Sequence, residues 1–230
     1  MKIEILHYIE GAKKAHGIAV IIDVFRAFSV ECYATANNVD KIIPVASKEL
    51  AYELKSNNPD YILVGERGGI KLPGFDYGNS PSELEHVDLT GKVMVHTTSA
   101  GTQGLENARN ADEIITGSLV NARAIAEYIR AHDFEHVSLV AMGNEGCREA
   151  KEDNLCAEYL KALLEGHTPD ITQQIESLKT AGGEHFFDGY RPDAFPQRDF
   201  FLCTELNKFD FVLKFQYDSS GLGYITNEKL

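Results

Sequence analysis

The sequence predicts an α/β protein whose strands are joined by helical crossover connections. From Gly17 onward, short β-branched runs alternate with longer amphipathic segments, the pattern of such a fold. The run Ile18-Ala19-Val20-Ile21-Ile22 is apolar throughout, as a strand covered on both faces must be. With 230 residues, 43% hydrophobic and 25% charged, the chain is long enough for a single domain over 1–230 that buries roughly 70% of its unfolded surface.

In chain order, strands are expected over Lys2–His7, Ile18–Asp23, Lys41–Val45, Tyr61–Gly65, Lys92–Thr97, Glu113–Thr116 and Val137–Met142. Helices fall between and after them, near Ala27–Asn37, Ser47–Asn57, Ser80–His86, Gly101–Ala108, Asn121–His132, Asn154–Glu165 and Ile171–Lys179. Ser47 and Ser118 stand where a hydroxyl can cap the segment that follows. The stretch from Gly65 to Pro81 holds five glycines and two prolines without a period, and reads as a long loop of the kind that carries function. Residues 180–230 read as an irregular part of the same domain, rich in Phe, Pro and Asp, with strand-like runs at Phe211–Tyr217 and Tyr224–Thr226.

Composition removes several function classes. Twenty-two Lys and Arg against 35 Asp and Glu give a net charge of −13, which argues against nucleic-acid or anionic-membrane partners. Cys32, Cys147, Cys156 and Cys203 form no CxxC pair and read as reduced, structural thiols. The longest apolar run is too short to cross a bilayer, and Glu4 and Glu10 interrupt any signal-peptide core, so a cytoplasmic location is expected. No Walker loop, GxGxxG after a strand or HExxH is present.

In open α/β sheets, ligands collect beyond the carboxyl ends of strands. The residues there are Asp23 and Arg26, then Glu66 and Arg67, then Thr98-Ser99-Ala100-Gly101-Thr102, then Ser118 with Asn121, and finally Gly143 to Asp153. Asp23 closes a doubly buried strand and needs a cation, a metal or backbone donors. A phosphoaspartyl enzyme of the haloacid dehalogenase type needs a second aspartate two residues on, where Phe25 stands. The Thr98–Thr102 turn offers small residues and backbone N–H groups to an anion, although Ser and Thr before a helix also serve as plain caps. Arg67 has a fork suited to phosphate, yet a loop Arg–Glu pair is also a common surface salt bridge. Glu152 and Asp153 are adjacent carboxylates at a helix start; they suit Mg²⁺, and equally suit the helix dipole. His96 precedes the Thr-rich turn and can face the same crevice, whereas Asp199 and Asp210 read as solvated or capping residues.

Together these blocks resemble the 2-phosphosulfolactate phosphatase family. Asp23-Val-Phe-Arg26-Ala resembles its Asp-x-x-Arg-Ala block, and Gly65-Glu-Arg-Gly-Gly69 its Gly-Glu-Arg-Gly block. Gly74-Phe-Asp-Tyr-Gly-Asn-Ser-Pro81, Gly117-Ser-Leu-Val-Asn121-Ala and Glu152-Asp153-Asn-Leu-Cys-Ala157 are similar to three more, in order over roughly residues 1–165. The chain departs at Ser99-Ala100-Gly101-Thr102-Gln103, where many members read Thr-Asn-Gly-Thr-Arg, and at Phe28, which replaces a small polar residue.

The resemblance implies a three-layer α/β/α fold around a mixed, largely parallel sheet. It also implies Mg²⁺-dependent hydrolysis of 2-phospho-3-sulfolactate to 3-sulfolactate and phosphate, a reaction of coenzyme M biosynthesis. On that basis Asp23, Glu152 and Asp153 are expected to hold Mg²⁺. Arg26, Arg67, Asn79, Asn121 and the Thr98, Ser99, Gly101 and Thr102 turn are expected to bind the anionic substrate. Asp23, Glu66 and Asp76 are the candidate catalytic carboxylates, with Glu66 or Asp76 orienting the attacking water. A phosphatase for another small phosphorylated acid shares every one of these assignments. A non-catalytic binder of organophosphates or sulfonates is the remaining alternative, and the intact Glu152-Asp153 pair argues against it. A homodimer is a reasonable expectation for a cytosolic enzyme.

Overall fold

The computed structural model describes residues 1–229. The apolar runs form ten strands: β1 (Lys2–His7), β2 (Ile18–Ile22), β3 (Lys41–Pro44), β4 (Ile62–Arg67), β5 (Ile70–Lys71), β6 (Val93–Thr97), β7 (Glu113–Gly117), β8 (His136–Ala141), β9 (Phe211–Tyr217) and β10 (Gly223–Lys229). They make one mixed sheet in the order β1-β8-β2-β7-β9-β10-β3-β6-β4-β5. β1-β8-β2-β7 is a parallel block, with Ile18 opposite both Glu113 and Val137. β3-β6-β4 is a second parallel block. The antiparallel hairpin β9–β10 joins the two, pairing with β7 on one side and with β3, through Ile225 and Ile42, on the other.

The helices are α1 (Tyr8–Ala12), α2 (Ala27–Ala36), α3 (Lys48–Asn57), α4 (Pro81–Leu84), α5 (Gly101–Asn107), α6 (Ala122–Ala131), α7 (Lys151–Leu164), α8 (Thr172–Ser177) and α9 (Gln197–Cys203). Ser47 caps α3 by accepting from Leu50 N at 3.2 Å. Ser118 N donates to Asn121 Oδ1 at 3.1 Å to start the turn that leads into α6. Alternation along the strands sends Ala19, Ile21, Ile42, Val64 and Met94 to one face, where they pack with α2 and α5. Ile18, Val20 and Ile22 point the other way, into a core with α6 and α7, while Ile43, Leu63 and Val95 do so against α3. The arrangement is three-layered α/β/α, as expected. No helix among the described residues is long and apolar enough to cross a membrane.

Two features of this frame build the site. Helix α2 is buried over eight consecutive residues, Ala27 to Ala34, so it carries the polar Ser29 and Glu31 into the interior. Secondly, the two parallel blocks run in nominally opposite directions, but a strand-to-strand twist of about 20–25° accumulates over the five steps from β2 to β6. The carboxyl ends of both blocks consequently meet: Gly101 N, just past β6, lies 2.9 Å from the Asp23 carboxylate just past β2.

The structure differs from the sequence reading in four places. Strand β4 continues through Arg67 and turns back as β5, inside what reads as loop. Helix α1 is only five residues long, too short to leave a periodic signal. Helix α7 starts at Lys151, three residues early, because its first turn is polar. Within 180–230, the segment around α9 is ordered by aromatic packing rather than by periodicity, and the β9–β10 hairpin lies in the middle of the sheet.

Candidate active site

A cleft of about 250 Å³ opens beyond the strand ends, walled by the turns after β2, β4, β6 and β8 and by residues near 185 and 195. Five carboxylates line it, Asp23, Glu66, Glu145, Glu152 and Asp153, against two arginines, Arg26 and Arg148. The lining is therefore net acidic, although Arg26 gives one wall a fixed cation.

Asp23 is 7% exposed and holds the two blocks together. Its Oδ1 accepts from Ala27 N, the first residue of α2, at 3.2 Å, and its Oδ2 accepts from Gly101 N, the first residue of α5, at 2.9 Å. One carboxylate thus caps two helices, a favourable place for negative charge. Gly101 is required by this approach: a Cβ there would lie 2.8 Å from Asp23 Oδ2 and 2.9 Å from Ala27 Cβ. Burial nevertheless pushes the Asp23 carboxyl up to about 6, with the Glu66 charge adding to the effect.

Asp153, in the first turn of α7, mirrors this role on the other wall. Its Oδ1 accepts from Val24 N and its Oδ2 from Gly143 N, each at 2.8 Å. Burial holds it well above the usual carboxylate range, and Asp23 and Glu152 reinforce the shift. Glu152 is pushed up to about 8, mainly by burial and then by Asp23 and Glu184. Its Oε2 is buried without a hydrogen-bond partner. Among the described residues, no Lys or Arg forms an ion pair with Asp23, Glu152 or Asp153.

Glu66 is 5% exposed. It accepts from Ser99 N at 2.7 Å, Ser99 Oγ at 3.2 Å and Gly69 N at 2.7 Å. The turn after β6 is thereby committed: Ser99 N goes to Glu66, Gly101 N to Asp23, and Thr98 and Thr102 exchange bonds between their hydroxyls and backbone N–H groups. The backbone donors expected to meet an anionic ligand instead hold the protein's own carboxylates in place.

Arg26, 3% exposed, forms a buried pair with Asp199 at 2.8 Å. The same Nη1 donates to Ala194 O at 2.8 Å, and Nη2 to Gly69 O at 3.3 Å. The guanidinium lies over the Phe195 ring, 5.0 Å from its centroid. Three of its five N–H donors are taken, which leaves two for a ligand in the cleft. Asp199 in turn accepts from Ser80 Oγ and Ser82 N at 2.9 and 3.0 Å, so it is not solvated; it caps the first turn of α4 and anchors the arginine.

Among the described residues, no three His, Cys, Asp or Glu side chains are gathered into a ligating group. Mg²⁺ does not need one, since it commonly takes one or two carboxylates and completes its octahedron with water and substrate oxygens. Buried carboxylates that raise one another's affinity for protons, the unpartnered Glu152 Oε2 and an all-oxygen donor set fit such an ion.

The profile of the family described as 2-phosphosulpholactate phosphatase matches residues 5–185. The chain belongs to this family. It is 33% identical over 206 residues to a probable 2-phosphosulfolactate phosphatase of Bacillus subtilis, covering 87% of this chain and 88% of the relative. A protein of the same description from Carboxydothermus hydrogenoformans is 41% identical over 165 residues, 71% of this chain and 68% of its own. One from Clostridium perfringens is 31% identical over 234 residues, with 94% of each covered. The family is one of phosphoric monoester hydrolases.

The family blocks do not all deliver their side chains to the cleft. Asp23, Arg26, Glu66, Asn79, Thr98, Ser99, Glu152 and Asp153 line it. Arg67 does not: successive residues of a strand face opposite ways, so with Glu66 turned in, Arg67 turns out to Ala46 O and Thr97 Oγ1, both at 2.9 Å. Asp76 is also displaced, because the chain runs back along β4 and sets it beside Leu63, whose N–H it accepts at 2.8 Å. That is four residues, about 13 Å, from the strand's carboxyl end at Arg67. Asn121 is wholly buried in its capping bond, and Gly101 and Thr102 act within the turn. His96 is fully buried, one residue behind the turn's entrance.

The family departures separate in the same way. Ala100 lines the cleft, where it removes an amide, while Gln103 donates to Ala46 O outside it. Phe28 is fully buried against Gly101. The residues that sequence reasoning missed are Arg148, His185, Phe195 and Asp199; for the last three, the only available signal was the density of Phe in 186–201.

Proposed function

We propose that the chain hydrolyses 2-phospho-3-sulfolactate to 3-sulfolactate and phosphate, the coenzyme M pathway reaction, with Mg²⁺ held by Asp23, Asp153 and Glu152. The observation that carries this reading is a cleft whose buried carboxylates lack a protein cation and face Arg26. A site of that charge binds a polyanion only with a divalent ion present, and the relatives named above are described as phosphatases of such a polyanion. Bound Mg²⁺ would neutralise phosphoryl oxygens and favour ionisation of a coordinated water.

The chain's own residues do the rest. The two free donors of Arg26 neutralise the ester's non-bridging oxygens as charge spreads over them in a loose transition state. Glu66, fixed by three donors, orients the attacking water with its remaining lone pairs. Arg148 lines the cleft paired with Glu145 Oε2 at 2.8 Å, and its other N–H donors are open to the substrate's remaining anionic groups. Hydrolysis adds water at phosphorus and breaks the bond from phosphorus to the ester oxygen, leaving the hydroxy acid.

The test is phosphate release from phosphosulfolactate and from a panel of other phosphorylated hydroxy acids, each with Mg²⁺ and with EDTA. Metal-dependent turnover with phosphosulfolactate leading is the expected result. Turnover led by another ester corrects the substrate, and ligand binding without turnover under any metal overturns the enzymatic reading.

A further inference from the structure

Behind the cleft lies a buried polar chain that the chemistry above does not use. His96, near the end of β6, and Glu31, in the middle of α2, are both fully buried, and His96 Nδ1 lies 3.0 Å from Glu31 Oε1. The other ring nitrogen, Nε2, lies 3.2 Å from Asn79 Oδ1, and Asn79 lines the cleft. Three elements distant in sequence thus place an acid, an imidazole and an amide in one line that ends at the site.

Stability does not account for the pair. Replacing a buried ionic pair with apolar residues of similar volume is often neutral or stabilising. Glu31 is a poor structural bargain in particular, since its Oε2 is buried with no partner at all. Proton placement gives the pair a purpose. Asn79 presents an acceptor oxygen to Nε2, so Nε2 must carry a hydrogen. The Nδ1–Oε1 contact holds one more proton, whichever atom bears it. Both arrangements leave Nε2–H donating, and both lock the Asn79 amide with its oxygen inward. Its Nδ2 has no protein acceptor among the described residues, and an amide held by its oxygen directs its N–H bonds away from that contact.

We infer that Glu31 and His96 are positioning residues which fix Asn79 as a hydrogen-bond donor to the phosphoryl group in the cleft. The inference rests on the phosphatase reading for its substrate, while its geometry stands independently. Asn79 is a catalytic residue in this scheme; Glu31 and His96 act only through it.

The experiment is a double-mutant cycle on the full chain, read by kcat, KM and calorimetric affinity for inorganic phosphate, with thermal unfolding alongside. Asn79→Ala should lower kcat/KM by about 100-fold, the loss typical of one oxyanion donor. His96→Leu should lower it by about 10- to 100-fold, and His96→Gln, whose amide can still donate to Asn79 Oδ1, should recover most of that loss. The decisive value is the combination: adding His96→Leu to Asn79→Ala should cost less than 3-fold further, since the amide it positions is gone. Multiplying losses, or a His96→Gln variant as impaired as His96→Leu at equal melting temperature, overturns the positioning role. If His96→Leu does not fold, Glu31→Leu replaces it in the same cycle with the same expected non-additivity. Phosphate affinity keeps the two readings apart. A wild-type protein that binds phosphate and cleaves no ester refutes the phosphatase reading, and the positioning pair is then judged on affinity across the same variants. A wild type that turns over normally alongside an unimpaired His96→Leu refutes the pair alone.

Discussion

Replacing Asp199 with alanine tests the frame that holds Arg26. The substitution removes the carboxylate that receives Arg26 Nη1 at 2.8 Å and leaves a guanidinium only 4% exposed. Ala194 O, Gly69 O and the Phe195 face remain, but none carries negative charge. The bonds from Ser80 Oγ and Ser82 N are lost as well. Breaking one side of a buried ion pair costs about 3–5 kcal/mol. At about 2–4 °C per kcal/mol for a chain of this size, the melting temperature should fall by roughly 6–20 °C. Asp199 does not line the cleft, so a loss of kcat/KM passes through the groups it holds, Arg26 and the Ser80–Ser82 turn beside Asn79. Calorimetric unfolding of Asp199→Ala, Arg26→Met and the double variant Arg26→Met/Asp199→Ala measures the coupling. The double variant should recover at least about 2 kcal/mol relative to the sum of the singles, because it leaves no buried charge unpaired. A fall below 2 °C for Asp199→Ala, or strict additivity, would refute the reasoning.

Three further outcomes follow from the site. In EDTA the protein should lose stability as pH rises from 4 to 7: Asp23 keeps its proton up to about pH 6 when folded and releases it near 3.8 when unfolded, so its contribution is full below 3.8 and gone above 6. At about 1.36 kcal/mol per pKa unit Asp23 accounts for roughly 3 kcal/mol, with Glu152 and Asp153 adding in the same direction, measurable by urea unfolding across that range, and Mg²⁺ should restore most of it at pH 7. Gly101→Ala should destabilise by about 1–3 kcal/mol, since its Cβ meets Asp23 Oδ2 at 2.8 Å; a melting temperature equal to wild type would contradict the close approach. Asp153→Asn should lower kcat/KM at least about 100-fold, whereas Arg67→Ala, outside the cleft, should lower it by less than about 3-fold and show instead as a melting shift; the reverse order would return Arg67 to the site.

The strand positions were legible because apolar runs report burial on both faces, and Ile18–Ile22 carries that signal alone. The carboxylates at strand ends were legible for the same reason, since Asp23 interrupts a pattern that tolerates no charge without a partner. Arg67 was misread because its direction depends on whether β4 stops at Gly65 or continues two residues, which glycine content suggests and backbone pairing decides. Asp199 was missed because its partner lies 173 positions away, and no local spacing encodes a contact across that distance. His96 was placed beside the crevice by its position in the sequence, yet strand alternation turns it into the core, where it reaches the cleft only through Asn79.

The hairpin β9–β10 sits at the one place where the two parallel blocks join in the sheet, and its bond to β3 rests on the single registered pair Ile225–Ile42. Its bond to β9 runs over seven pairs, and the blocks themselves are each continuous. Cooperative units in a protein open where the pairing is sparsest. The register between the hairpin and β3 is thus the shortest join between the two blocks, and the Asp23 carboxylate, bonded to α2 on one side and α5 on the other, clasps the blocks together beyond it.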